Sequence, residues 1–496
     1  MSWKTWSFTI MTQEVIDQIK TAADIIGSTF GPAGKNVMFK SRENLPAAMI
    51  RDGVKTARRL AACEPLNTGF QLLVDACMST VRKTGDGTTT TAILVKALLE
   101  NWSEVNLENY MVKGQPATKE QFYQAAGISA NGREEAKLVA DLVWALGPYA
   151  HIQSYAAIGE KTRIEIKDGY VTPGGMYTHD MMNRFQGDNV SYTHNSAVLK
   201  NPLVMLVHDQ IHGDQQMISI ITEYVKMQTN RPLVIFGTDI NKNAVKAVLD
   251  NQIPRQNNQG KLVHTGLPIF LAAGWRDAYS FDDIKKITGA TVFSQMTKHL
   301  FPVKGCTLTF SDLGSAEEIE LSVNTYNQGY SRVKVQNMEI IDKMIADLKE
   351  SITPENEEEV GERISKLTKG VGFIYIGGMT EAEHRLIADS VEDCAISLPT
   401  VLKHGVVPGG AYSFYELAHR AMMNDDMLFS EALYEVRKKL MKSMDASEDG
   451  RVFNFRTKEY QNPDECDIWE SASVVNESIK SAYSFVHEIM NTDVCF

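Results

Sequence analysis

Two hydrophobic periods share this chain, and their order limits the folds open to it. Near both ends apolar residues recur every three or four positions, the repeat of a helix buried along one stripe. Val15, Ile16, Ile19, Ala22, Ala23 and Ile26 form one stripe, Gly69 to Val81 and Thr88 to Leu99 carry two more, and Ile479, Ala482, Tyr483, Val486 and Ile489 a fourth. The middle differs. Short apolar runs, Leu203 to Val207, Leu233 to Phe236, Ile269 to Ala272, Thr291 to Phe293 and Phe373 to Ile376, alternate with helical segments such as Gln215 to Met227 and Lys242 to Leu249. Buried runs of that length between helices indicate a βα-type sheet domain. The charged stretch Gln336 to Lys366, broken around Pro354, reads as a helical hairpin with a solvated outer face. The order helical, mixed, helical permits an α/β domain inserted between two halves of one helical domain, and leaves open whether those halves meet.

A chain of 496 residues is too long for one core, and at about 150 residues per domain it divides into roughly three. With 43% hydrophobic and 23% charged residues and a mean hydropathy of -0.22, it has the material for several cores. The net charge of -12 disfavours phosphate backbones and anionic lipid as partners. The most apolar stretch, Leu267 to Trp275, contains Pro268 and Gly274 and falls short of the ~20 residues of a membrane span. The N-terminus lacks the apolar core and cleavage site of a secretory signal, so the expected location is cytoplasmic. Cys63, Cys77, Cys306, Cys394, Cys466 and Cys495 form no CxxC pair, which argues for reduced thiols over a zinc ribbon or disulfide framework.

The segment Gly85-Asp86-Gly87-Thr88-Thr89-Thr90-Thr91 carries the most chemistry. Two glycines around an acid allow a tight turn with inward N–H groups, and the turn opens into a helix whose N-terminus attracts phosphate. The threonine hydroxyls add donors, and Asp86 is a hard oxygen ligand suited to Mg²⁺. The plainer reading is a helix N-cap, which accounts for one hydroxyl but not for four consecutive threonines of mediocre helix propensity. Thr29-Phe30-Gly31-Pro32-Ala33-Gly34-Lys35-Asn36 is a second glycine-rich turn. It is no Walker A loop, since the glycine spacing fails and Asn36 replaces the required hydroxyl; alone it reads as a helix C-cap. Arg51-Asp52-Gly53-Val54 alone reads as a surface turn. On the helical stretch Glu381 to Leu402, which leads to Gly405-Val406-Val407-Pro408-Gly409-Gly410, Asp389 and Asp393 lie off the apolar stripe. Each is either a solvated charge or a carboxylate aimed into a nucleotide site, and spacing does not choose.

Taken together, the TFGPxGKN turn, the RDGV segment, GDGTTTT, the VEDC stretch around Asp393, GVVPGG, and the stretch from Asn454 through Ile468-Trp469-Glu470 resemble the GroEL-type (group I) chaperonins in order and approximate spacing. The resemblance spans nearly the whole chain. It implies a multi-domain α and α+β fold: an all-α equatorial ATPase domain from both chain ends (1–115 and 404–496), a small α+β intermediate hinge domain (116–173 and 371–403) and an inserted α/β apical substrate domain (174–370). The cofactors implied are ATP and Mg²⁺, with K⁺ a further candidate ion. By this resemblance Phe30, Gly31 and Pro32 touch the nucleotide, Asp86 holds Mg²⁺, and Gly87, Thr88, Thr89 and Thr90 cradle phosphates. Asp393 orients the attacking water, with Asp52 as a second supporting carboxylate. Gly410, Asn454 and Ile468 line ribose and adenine, and Glu470 stands where the family has a ribose-binding Asp. Ile218, Ile221, Val245 and Leu249 fall where the family exposes an apolar groove for non-native polypeptides, although apolar residues at helical spacing are more often core.

The resemblance further implies a homo-oligomeric ring, heptameric in the family, single or double, and leaves a co-chaperonin lid open. No nucleic acid or membrane partner is expected. The chain departs from the family by a shortened segment between the GDGTTTT helix and Gly127, a shortened segment between Ala432 and Asn454, and an end at Asp493-Val494-Cys495-Phe496 without a Gly-Gly-Met tail. These departures suggest an altered ring–ring interface or a single ring, and suit a viral or otherwise fast-evolving homologue; the expected compartment is the cytoplasm of a bacterium or of a virus-infected cell. Two other readings stand beside the ATPase: a degenerate paralogue that holds clients without turnover, and an unrelated small-molecule kinase using GDGTTTT as a lone phosphate loop.

Overall fold

The apolar stripes of the first hundred residues become helices because each places its large side chains on one buried face. The computed structural model describes residues 13–492 except 42–46, 130–133, 151, 158, 194, 212–213, 254, 257–261, 265, 274–277, 295–307, 324–328, 335–337, 354–355 and 369. Cys306, Cys495, Asn131, Pro354 and the 493–496 end therefore lie outside the described residues. Helix α1 (Gln13–Gly27) buries Val15, Ile19, Ala22, Ala23 and Ile26. It is followed by α2 (Gly53–Cys63), α3 (Thr68–Thr84) and α4 (Thr88–Glu100). Past α4 the chain makes only a short 3-10 turn, Leu107–Tyr110, before α5 (Lys119–Ser129) and α6 (Glu135–Leu146). This is the shortened segment of the sequence.

Among the described residues the middle of the chain holds two five-stranded sheets. In the first, strands run parallel in the order Ile269–Ala273, Leu233–Ile240, Leu203–Ile211, Val292–Phe293, with Gly314–Ser315 antiparallel on Leu203–Ile211. Leu203, Leu233 and Ile269 stand in register, and both faces are buried, as for a parallel sheet covered by helices. Helices α7 (Asp214–Lys226), α8 (Lys242–Gln252) and α9 (Ala278–Thr288) belong to this layer. The hairpin read between Gln336 and Lys366 is α10 (Met338–Glu350) packed on α11 (Glu357–Thr368), and its inner residues Ile341, Met344, Leu348, Val360 and Leu367 enter the core.

The second sheet, antiparallel in the order Tyr170–Pro173, Tyr330–Lys334, Glu318–Ser322, Ser196–Lys200, Val190–Tyr192, has no counterpart in the sequence reading. Its second face is buried charge in place of an apolar run: Glu320 accepts from Lys167 at 2.9 Å, Tyr330 Oη at 2.5 Å and Arg332 Nε at 3.1 Å. A buried face stabilised by an ion-pair network gives no apolar signal.

The chain then returns to helix: α12 (Glu381–His404), α13 (Tyr412–Met423), α14 (Met427–Ser443) and α15 (Ala472–Met490). Helix α4 packs against α1 from one end of the chain and against α14 and α15 from the other, so the two helical halves do meet, in one core. Internal contacts divide the chain into two units, residues 1–148, 152–165 and 372–496 in one, 149–151 and 166–371 in the other. Among the described residues no helix is long and apolar enough to cross a membrane, and Cys63, Cys77, Cys394 and Cys466 are buried thiols outside any disulfide.

Candidate functional site

The turn between α3 and α4 is built around two left-handed glycines, Gly85 at φ 71° and Gly87 at φ 95°. Thr84 donates its hydroxyl to the Asp86 carbonyl at 2.7 Å, and the Gly87 N–H donates to Asp86 Oδ1 at 2.6 Å. Gly87 is itself the N-cap of α4 and supplies no side-chain cap. The plain capping reading of the threonines therefore fails, and the first turn of α4 keeps its N–H groups for a ligand. A Cβ at Gly87 would stand 2.7 Å from Ser478 Oγ, and the positive φ adds strain for any other residue.

Three further elements close on this turn, all within the unit formed by the chain ends. Asp52 caps α2 through a 2.7 Å bond from the Lys55 N–H. Helix α12, capped by Thr380 through the Glu383 N–H at 3.2 Å, brings Asp389 and Asp393 on successive turns of one face. The strand Trp469–Ser471 pairs with Val406–Pro408 and sets Glu470 opposite Val407. The result is a cavity of about 480 Å³ lined by Phe30, Gly31, Asp52, Asp86, Gly87, Thr89, Thr90, Asp389, Asp393 and Glu470, among others.

The cavity is a concentration of carboxylates. Burial, with help from the charges of Asp86, Asp52 and Glu392 and against that of Lys55, pushes Asp393 up to about 8. Burial and then the charge of Asp86, opposed by Arg437, push Glu470 up to about 8 as well. Asp86 is raised by burial and by Asp52, with the Gly87 N–H pulling the other way. Such a set is unfavourable through burial and mutual repulsion, which the positive end of α4 offsets only in part, until a cation enters it. Among the described residues no three acidic, histidine or cysteine groups converge tightly enough to cage a metal alone. One or two of these carboxylates would suit a hard divalent cation that keeps much of its own water. Thr88 Oγ1, Glu470 Oε1 and Ser478 Oγ are buried without a protein partner, and polar atoms left so ask for a ligand or water.

Not every residue implied by the family resemblance faces this cavity. Thr88 is buried at the helix start. Pro32 is exposed, and its carbonyl accepts from Arg51 Nη2 at 2.5 Å. Asn454 is buried and caps its own turn, accepting from the Arg456 and Thr457 N–H groups at 3.0 and 3.3 Å. Ile468 is buried and accepts from the Gly409 N–H at 2.9 Å, while Gly410 accepts from buried Arg437 at 2.7 Å. In the other unit Ile218 is 49% exposed, whereas Ile221 is core at 7% and Val245 and Leu249 are half-buried against that core. The outward apolar partner of Ile218 on α7 is Val225, one heptad on.

The structure adds cavity residues that the sequence reading passed over. Ala125, Ile128 and Ser129 come from α5, and Ser390 from α12. Lys55 Nζ forms an ion pair with Asp389 Oδ2, and Asp389 lines the cavity with Asp393. The available signal was its i, i+4 spacing from Asp393.

Residues 22–109 match the model of the TCP-1/cpn60 chaperonin family. Over 99% of its length the chain is 24% identical to Chaperonin GroEL 1 of Prochlorococcus marinus, covering 88% of that protein. It is 25% identical to Chaperonin GroEL 3 of Psychromonas ingrahamii, over 82% of this chain and 75% of the relative. In fold it is similar to the chaperonin gp146 from the bacteriophage EL 2 (Pseudomonas aeruginosa), solved in the presence of ATP-BeFx, with a TM-score of 0.73, 18% identity and 98% of each chain covered.

Proposed function

This chain is a divergent member of the GroEL-type chaperonins, and we propose that it is an ATP-hydrolysing subunit of a closed ring that binds non-native polypeptides and promotes their folding. The observation that carries the reading is the convergence of Asp52, Asp86 and Asp393 on the uncapped N-terminus of α4. The domains follow the family plan, with 1–115 and 404–496 equatorial, 116–173 and 371–403 intermediate, and 174–370 apical.

Residue by residue, the α4 N–H groups with Thr89 and Thr90 hold phosphate oxygens, aided by the helix dipole. Asp86 would hold Mg²⁺, whose charge offsets that developing on the phosphoryl oxygens. Asp393, once ionised, accepts a proton from the attacking water and aims it in line with the bond that breaks; Lys55 nearby favours that ionised form. Asp52 fixes the first turn of α2 against this face. Glu470 Oε1, unpaired and buried, is placed to bond a sugar hydroxyl. The Asp mismatch with the family's usual residue is one methylene of extra reach. Exposed Ile218 and Val225 on α7 supply apolar surface for clients.

The test is Mg²⁺-dependent phosphate release from ATP by the wild type and by Asp393→Ala. The variant is expected to lose about 10²-fold or more in kcat while still binding a fluorescent ATP analogue. No phosphate release from the wild type, or equal rates for the two proteins, would remove the ATPase reading and leave a client-holding role.

A further inference from the structure

Helix α12 has an electrostatic problem. It carries Asp393 toward Asp86 and Asp52, and both of those charges oppose its ionised form, so ionising Asp393 for the reaction works to lift the helix off the site. Helix α12 also packs against α5 and α6, and beside the cavity Ser397 Oγ donates to Ser129 Oγ at 3.1 Å. Toward the site, Asp389 Oδ2 of α12 is paired with Lys55 Nζ of α2. The Lys55 backbone N–H in turn donates to Asp52 at 2.7 Å, so the cation is registered to the same turn that positions a site carboxylate. The two side chains are 42% and 28% exposed. A pair so placed is weak and salt-sensitive, and so suits a contact that forms and breaks.

We propose that the Lys55–Asp389 ion pair is a latch that holds α12, and with it Asp393, closed over the α4 N-terminus. Both are positioning residues: they act on hydrolysis through Asp393 and leave nucleotide contacts intact. The proposal rests on the ATPase reading for its kinetic consequence but not for its structural one.

The test is a double-mutant cycle of Lys55→Met, Asp389→Asn and the two combined, read by ATP turnover and by amide hydrogen exchange along α12 without nucleotide. Each single variant should lower kcat about three- to fivefold, the population shift expected of a part-exposed pair, with KM changed less than about twofold. The combined variant should be no worse than either, because neither residue has its partner left. Exchange along α12 should quicken equally in all three. Additive losses, or Asp389→Asn behaving as wild type while Lys55→Met is impaired, would overturn the latch and leave Lys55 acting by its charge alone. If the wild type does not hydrolyse ATP, the ATPase reading falls, and the exchange arm still decides: unchanged protection of α12 in the variants overturns the latch.

Discussion

Asp393 and Glu470 show at the residue scale what an acidic nucleotide cavity demands of a folded chain. Burial pushes both carboxyls up to about 8, whereas in an unfolded chain they titrate near 4. Between those values the native state binds more protons than the unfolded state, so stability falls as pH rises through the window. The nucleotide-free protein is therefore expected to lose urea resistance between about pH 5 and about pH 8, and Asp393→Asn or Glu470→Gln should flatten that slope. Denaturation midpoints at several pH values check the difference between variant and wild type, in which titrations common to both cancel. A wild-type slope no steeper than those of the variants would mean that both carboxyls are already ionised in the folded protein. The neighbouring Asp86 is likewise raised, by burial first, with the Gly87 N–H drawing it down and the charge of Asp52 adding to the rise.

Among the elements, α14 does more for the site than its sequence suggests. Its Arg437 is fully buried, donating to the Gly410 carbonyl at 2.7 Å, the Arg451 carbonyl at 2.7 Å and the Glu448 carboxylate at 2.9 Å. It thereby joins the GVVPGG turn to the loop before Asn454. A lysine offers one compact ammonium in place of a planar fork and cannot reach all three acceptors. Arg437→Lys should cost about 3 kcal/mol of stability and raise the KM for ATP more than it lowers kcat; thermal unfolding and steady-state kinetics check both. Arg437 illustrates why only part of the site was legible. A motif of glycines and threonines announces itself because few other structures need it, and the apolar stripes of α1, α3, α4 and α15 announce themselves by period. A cation inside α14, or Lys55 and Asp389 off their apolar stripes, reads as solvent-facing until tertiary structure supplies the partner. The antiparallel sheet was hidden for the same reason: Glu320 and Arg332 alternate with Ile319, Leu321 and Val333 and read as a solvated strand face, yet both are buried. Asn454, Ile468 and Gly410 were legible through the resemblance alone: Asn454 bonds to its own turn, Ile468 to Gly409 and Gly410 to Arg437.

For the whole molecule, the unit formed by the chain ends leaves apolar surface that one copy does not cover. The tip where α13 meets α14 exposes Met422, Met423, Met427 and Leu428, with Met423 83% exposed. Met38 and Met49 stand opposite one another on the Val37–Phe39 and Ala48–Ile50 hairpin, both exposed. Contiguous apolar surface of this kind marks an interface, and closed cyclic symmetry is the usual way for identical chains to cover it. The segment joining α4 to α5 is reduced to one 3-10 turn, and α14 ends at Ser443 with only a turn before Val452. With less structure there to dock a second ring, a single ring is expected. Seven chains of 55.3 kDa give a particle of about 390 kDa, and native mass with and without Mg·ATP measures it. A value near 770 kDa would mean that the short segments still stack two rings, and the reduced interface would then have to lie in the exposed methionine tip. A monomer under both conditions would leave those methionines bare in solution, contradict the interface argument, and detach the chaperonin fold of this chain from the ring in which that fold works.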